Sequence, residues 1–251
     1  MIWITFLMIG MFAQLIDGTL GMGFGLTSST FLLTAGTSAV MASLAVHLSE
    51  IGTTLASGLS HWRLGNIDKK LFYQIIIPGG FGAFIGANFL ISLDSPRAKI
   101  FISTLLFFLG FLMIYRSLNQ SNSISRNSSV RKRNFPRFLA FTGGFVDAAG
   151  GGGWGPIVTP TLITFTSSDP RKIVGTVNAS EFIVTIFASL GFLTKVNYGD
   201  LNMKIITGLA VGGIFMAPIA AKIVVKLSRR NIGILIGLMV IFMNGFIILK
   251  L

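Results

Sequence analysis

The chain has 251 residues, 52% of them hydrophobic and 11% charged, with a mean hydropathy of +0.79. Soluble domains carry about twice that charged fraction, so the composition specifies a polytopic membrane protein folded as one bundle. Cysteine is absent and there are only two histidines, His47 and His61, which excludes disulfides and thiolate chemistry and argues against a metal centre. The net charge of +12 sits in short connections between apolar segments, as orientation signals do, so nucleic acid is not an expected partner.

Taken in order, the chain opens with an apolar block over residues 1–35 that contains a glycine-rich break after Asp17. It carries no basic n-region, so a cleavable signal peptide is not expected. Apolar runs of crossing length follow at 37–60, 71–92 and 98–116. Residues 118–135, "LNQSNSISRNSSVRKRNF", read as a polar surface linker, and Arg131, Lys132 and Arg133 as topogenic charge. A second broken block covers 138–165, with its glycines after Asp147. Three more crossings are expected at 174–194, 203–226 and 231–249.

As one helix the first broken block would be roughly 50 Å long, too long for one crossing and too short for two. It is either a broken crossing or a hairpin that dips to the midplane and returns. With hairpins and the N-terminus outside, 15 of the 20 Lys and Arg residues fall inside; with broken crossings the better orientation gives 12. The positive-inside rule therefore favours hairpins and a cytoplasmic linker.

The halves resemble each other. Asp17, Gly21, Gly23 and Gly25 align with Asp147, Gly151, Gly153 and Gly155, and "HLSEI" at 47–51 aligns with "NASEF" at 178–182 after a one-residue slip. The expected fold is an all-α polytopic membrane protein built as an inverted repeat, each half a re-entrant or broken helix hairpin plus three transmembrane helices. The units are 1–117 and 137–251, joined by the linker at 118–136.

Backbone at mid-membrane must be buried in protein or line a cavity. Glycine lets the chain turn sharply and lets a ligand reach bare amides. Pro156 suits the first turn of a new helix. Two helix starts converging from opposite leaflets would make an anion site. Its candidate contacts are Gly21, Gly23, Gly25 and Ser28 on one side, and Gly150, Gly151, Gly152, Gly153, Trp154, Gly155, Pro156 and Thr159 on the other. Thr27, Ser28 and Ser29 could supply hydroxyl donors or a cap. The competing reading is that the glycines only permit close helix packing.

Glu50 and Glu181 stand near the centres of their helices, where a carboxylate is costly and is a functional candidate by default. His47 and Asn178 precede them by three residues, on the same helix faces. Desolvated glutamates of this kind could carry a proton as coupling ion. Asp17 and Asp147 are either coupling groups or acceptors for loop amides.

The stretch "GFVDAAGGGGWGPIVTPTL" at 144–162 resembles the second-half signature of the TauE/SafE sulfite exporter family, and 46–68 and 174–185 look like one branch of it. The resemblance covers nearly the whole chain. It implies a bacterial inner-membrane permease, with no cofactor, for small anions such as sulfite, thiosulfate, organosulfonates and related carboxylates. It also implies that Gly150–Gly155, Pro156 and Thr159 line the site, opposite Gly21–Gly25. The first-half copy, "GTLGMGFG", lacks the four-glycine run and the proline, so the second hairpin is expected to dominate. A secondary transporter working by alternating access is the leading reading; a passive anion channel and a non-transporting scaffold are the alternatives. No nucleophile–base or metal-ligand constellation suggests an enzyme.

Overall fold

A computed structural model describes residues 2–20, 22–93, 95–119, 134–165, 168–197, 199, 201–223 and 229–250. Gly21 and the Arg131–Arg133 cluster lie outside these. The described chain is all helix and connecting turns. In order come α1 (Ile2–Leu20), α2 (Phe24–Thr34), α3 (Ala39–Arg63), α4 (Lys69–Ser92) and α5 (Ser95–Asn119). Then follow α6 (Phe135–Gly150), α7 (Trp154–Phe165), α8 (Pro170–Leu193), α9 (Met203–Ile223) and α10 (Arg229–Leu249). Local chemistry places several starts. The side chains of Ser38, Asp68 and Asn202 accept first-turn amides of α3, α4 and α9.

Ala39–Arg63, Lys69–Ser92, Ser95–Leu118 and Lys172–Leu193 are long and apolar enough to cross a bilayer. The apolar stretches of α9 and α10, Met203–Ala217 and Gly233–Leu249, are shorter than the usual span, although each helix has 21 residues. Aliphatic and aromatic side chains such as Tyr73, Phe108, Phe215 and Phe242 stand exposed along the outside, as lipid-facing positions do.

Both broken blocks double back. Phe12 of α1 packs edge-on against Phe31 of α2, with ring centroids 6.0 Å apart. Gly143 of α6 lies against Val158 of α7. A continuous crossing would put residues 12 and 31 roughly 28 Å apart, so these are hairpins.

The hairpins are exchanged between halves. α1 runs along α9, with Trp3 Nε1 donating to Thr207 Oγ1 at 3.0 Å and Gly212 against Leu7 and Met11. α6 runs along α4 in the same parallel sense, Gly82 against Phe141 and Gly86 against Phe145. Counterpart helices meet antiparallel. On α5 and α10, Phe107, Gly110 and Ile114 face Gly245, Ile241 and Gly237 in turn. On α3 and α8, Gly58 lies on Ala179, and Asn66, just beyond α3, lies on Gly175. The buried core runs through the middle of this arrangement and includes Leu26, Val46, Ile102, Trp154 and Val184.

Candidate functional site

The glycine breaks shape both hairpin tips. α6 ends on Gly151, which is left-handed at φ 71°, and its amide returns to the Asp147 carbonyl. Gly152 at φ 144° completes the reversal, and α7 starts at Trp154. In the first half Gly23, at φ 127°, precedes α2.

The two tips touch. A Cβ added at Gly25 would lie 2.8 Å from Gly152 Cα, 3.2 Å from the Gly151 carbonyl oxygen and 3.1 Å from Glu50 Oε1. The Ser29 hydroxyl donates to the Gly151 carbonyl, tying α2 to the opposite break. Gly150, Gly153, Gly155 and Pro156 are buried around this contact.

The aspartates hold the tips. Asp147 Oδ1 accepts the amides of Gly153 at 2.7 Å and Trp154 at 3.0 Å. Asp17 accepts the amide of Phe24, the same seven-residue reach as Asp147 to Trp154. This corrects one expectation. The first α7 amides do not wait bare for an anion, because the preceding carboxylate takes them, as aspartate does in turns. Thr27, Ser28 and Ser29 do not cap α2 either. The amides of Gly25, Leu26 and Gly155 still precede the first i→i−4 acceptors, which pair with Thr27 and Ile157.

The short helices carry buried hydroxyls without partners among the described residues: Thr27 and Ser28 on α2, and Thr159 on α7. Leaving a buried hydroxyl unpaired costs about 1–3 kcal/mol, and these three lie on the two short helices that start at the breaks.

His47 does not pair with Glu50. Its Nδ1 lies 2.7 Å from the Ser43 carbonyl, which can only accept, so Nδ1 carries hydrogen. Its Nε2 faces Asp147 Oδ2 at 3.3 Å. A hydrogen bond across that gap needs a proton on the imidazole or on the carboxyl. Ser43 also donates to the Ala148 carbonyl at 2.7 Å, binding α3 to the end of α6.

Glu50 is buried and Glu181 half-buried, and Glu50 feels the charges of Glu181, Asp147 and Asp17. Asn178 Nδ2 lies 3.5 Å from His61 Nε2 across the α3–α8 contact. Trp154 is fully buried; its ring lies against Gly79, and its indole donates to the Val177 carbonyl at 3.1 Å. It therefore fixes α7 to α4 and α8. A separate cavity of about 330 Å³ lies at the end where α2 passes into α3, lined by residues including Phe6, Thr37, Ser38, Leu44 and Asn202.

Sequence reasoning passed over Ser43 and Arg116. Ser43 sits one turn before His47, and a buried helix serine there was a signal. Arg116 donates to the Pro156 carbonyl. Its signal was Pro160, four residues after Pro156, because a helix-interior proline leaves the i−4 carbonyl without its donor.

This geometry has a matching lineage. A sequence model described as "Sulfite exporter TauE/SafE" matches residues 6–247. The chain belongs to the TauE/SafE family. The "Probable membrane transporter protein YtnM" of Bacillus subtilis (strain 168) is 45% identical over 245 residues, covering 96% of this chain and 81% of the relative. No solved structure gives a significant match. Family membership and the apolar spans make this TauE/SafE protein a multi-pass membrane transporter.

Proposed function

We propose that this transporter is a secondary permease for a small anion, a sulfur oxyanion such as sulfite or thiosulfate or an organosulfonate, moved by alternating access past the two hairpin tips. The observation that carries the reading is the contact of Gly25 with the Gly151–Gly152 turn, with Glu50 beside it and the unpaired hydroxyls of Thr27, Ser28 and Thr159 on the helices that start there. The printed family name supports a sulfur oxyanion. The exchanged hairpins and antiparallel counterparts support an inverted repeat, whose halves rock about a fixed midplane site. The positive-inside rule puts the basic linker on the cytoplasmic side of a bacterial inner membrane.

The electrostatics add a requirement. Asp17, Glu50, Asp147 and Glu181 converge on one buried region, where His47 stands against Asp147. An anion entering there meets like charge, so protons must neutralise part of the cluster. Glu50 and Glu181 are the proton carriers in this account, and the His47–Asp147 pair holds a third proton. Tip contact closes the path in this conformation, so the hairpins separate during the cycle.

A thermal-shift series with sulfite, thiosulfate and a small alkanesulfonate, against chloride at equal ionic strength, tests binding. A binding anion raises the melting temperature with concentration, more strongly at pH 6 than at pH 8. No anion-specific rise at either pH, from folded protein, would contradict the reading.

A further inference from the structure

In α7, Pro160 follows Pro156 by four residues. Proline has no amide hydrogen, so the Pro156 carbonyl loses its helical donor. Arg116, in the last turn of α5, reaches across to it. Nη1 donates to the Pro156 carbonyl and Nη2 lies 3.4 Å from Thr161 Oγ1.

The other half has the same bridge with different chemistry. Thr30 stands 130 positions before Pro160 and keeps its amide. The last helix of that half, α10, reaches α2 through Asn244, whose Nδ2 donates to Thr30 Oγ1 at 3.0 Å. One short helix is therefore held by a permanent cation, the other by a neutral amide.

Arg116 has more capacity than this bridge uses. A guanidinium carries five N–H donors, and its acceptors among the described residues are two neutral oxygens. It is half-buried, and Tyr115 is the one titratable neighbour that acts on it among them. A charge withdrawn from water without a counter-charge is costly. An oxyanion would complete it, because the planar fork matches two oxygens of such a group. Its contacts run from Pro156, the third residue of α7, to Thr161, the eighth, so this cation stands one to two helical turns from the break.

Resting on the permease reading, we infer that Arg116 is an anion-binding residue, the contact that takes the oxyanion as it passes between the hairpin tip and the side of the membrane where α5 ends. Asn244 offers no such hold at the other hairpin, so anion affinity is higher from the Arg116 side.

The test separates binding from support of the helix. Wild type, Arg116→Gln, Arg116→Lys, Pro160→Ala and the double variant Arg116→Gln/Pro160→Ala are reconstituted full-length, and thiosulfate and sulfite uptake is measured. Pro160→Ala restores the missing amide, so Pro156 no longer depends on Arg116. Arg116→Gln is expected to raise KM at least tenfold with a smaller change in kcat, and Arg116→Lys to recover part of that loss. The double variant regains the thermal stability lost in Arg116→Gln but keeps the high KM. If Pro160→Ala also restores KM, or folded Arg116→Gln keeps the wild-type KM, Arg116 only supports the helix and the assignment fails alone. Wild-type vesicles without uptake would remove the permease reading and this assignment with it.

Discussion

The backbone of Gly25, one residue into α2, lies directly against the backbone of Gly152 in the opposite hairpin. The two residues are 127 positions apart, and each belongs to a chain reversal forced by its own glycine run. Their contact joins the halves at the point where short helices begin and where the buried carboxylates gather. In the proposed cycle the path opens by parting this backbone-to-backbone contact.

That contact leaves no room for a methyl group at Gly152. A Cβ there would run into the Leu26 amide and the Gly25 backbone, at a φ of 144° that side chains rarely adopt. Gly152→Ala should lose about 3 kcal/mol or more, from strain and overpacking together. Gly36→Ala is the control. Its φ is 88°, but nothing lies within 4 Å of its Cβ, so only the backbone strain of about 1 kcal/mol remains. Thermal unfolding in detergent should rank Gly152→Ala well below Gly36→Ala; equal losses would show that the tips are not in contact.

Asp147 offers a cleaner separation of structure from protonation. Removing it with Asp147→Ala strands two buried amides and the histidine contact, a loss of about 2–4 kcal/mol. Asp147→Asn keeps a carbonyl oxygen for Gly153 and Trp154. It also supplies an N–H to the His47 Nε2 lone pair, so that contact no longer needs an extra proton. The asparagine variant should melt close to wild type while its anion uptake responds less to pH. A full alanine-like loss of stability in Asp147→Asn would count against the shared-proton geometry.

Glutamine in place of Glu50 or Glu181 preserves shape and removes titration. If these residues carry protons, each variant should remain folded, bind anion at pH 8 at least as well as wild type, and lose uptake driven by a pH gradient by tenfold or more. Retained gradient-driven uptake with a wild-type pH profile in Glu181→Gln would remove that residue from the proton path, and the same holds for Glu50.

How much of this was legible in the sequence follows from the range of each interaction. The helix breaks were, because glycine runs after Asp17 and Asp147 act within a few residues. The hairpin choice was also legible, since the distribution of Lys and Arg separates it from a broken crossing, and Phe12 against Phe31 shows the chain doubling back. Helical spacing put His47 and Glu50 on one face but could not name their partners. His47 meets Asp147, which is 100 residues away. The same limit applies to Asn178, which meets His61. Of the two roles open to Asp147, accepting loop amides is the one the geometry shows, and it takes the amides of Gly153 and Trp154 that the anion reading had left bare. The contact of Gly25 with Gly152 depends on how the halves dock, which local pattern does not encode.

The most direct measurement is uptake of radiolabelled sulfite and thiosulfate into proteoliposomes, with and without an imposed pH gradient, wild type beside Gly152→Ala. The account predicts saturable uptake by the wild type that is stimulated by the proton gradient and abolished when the tip contact is disrupted. Folded wild-type protein that moves neither anion, or that moves them as well with alanine at position 152, would contradict it.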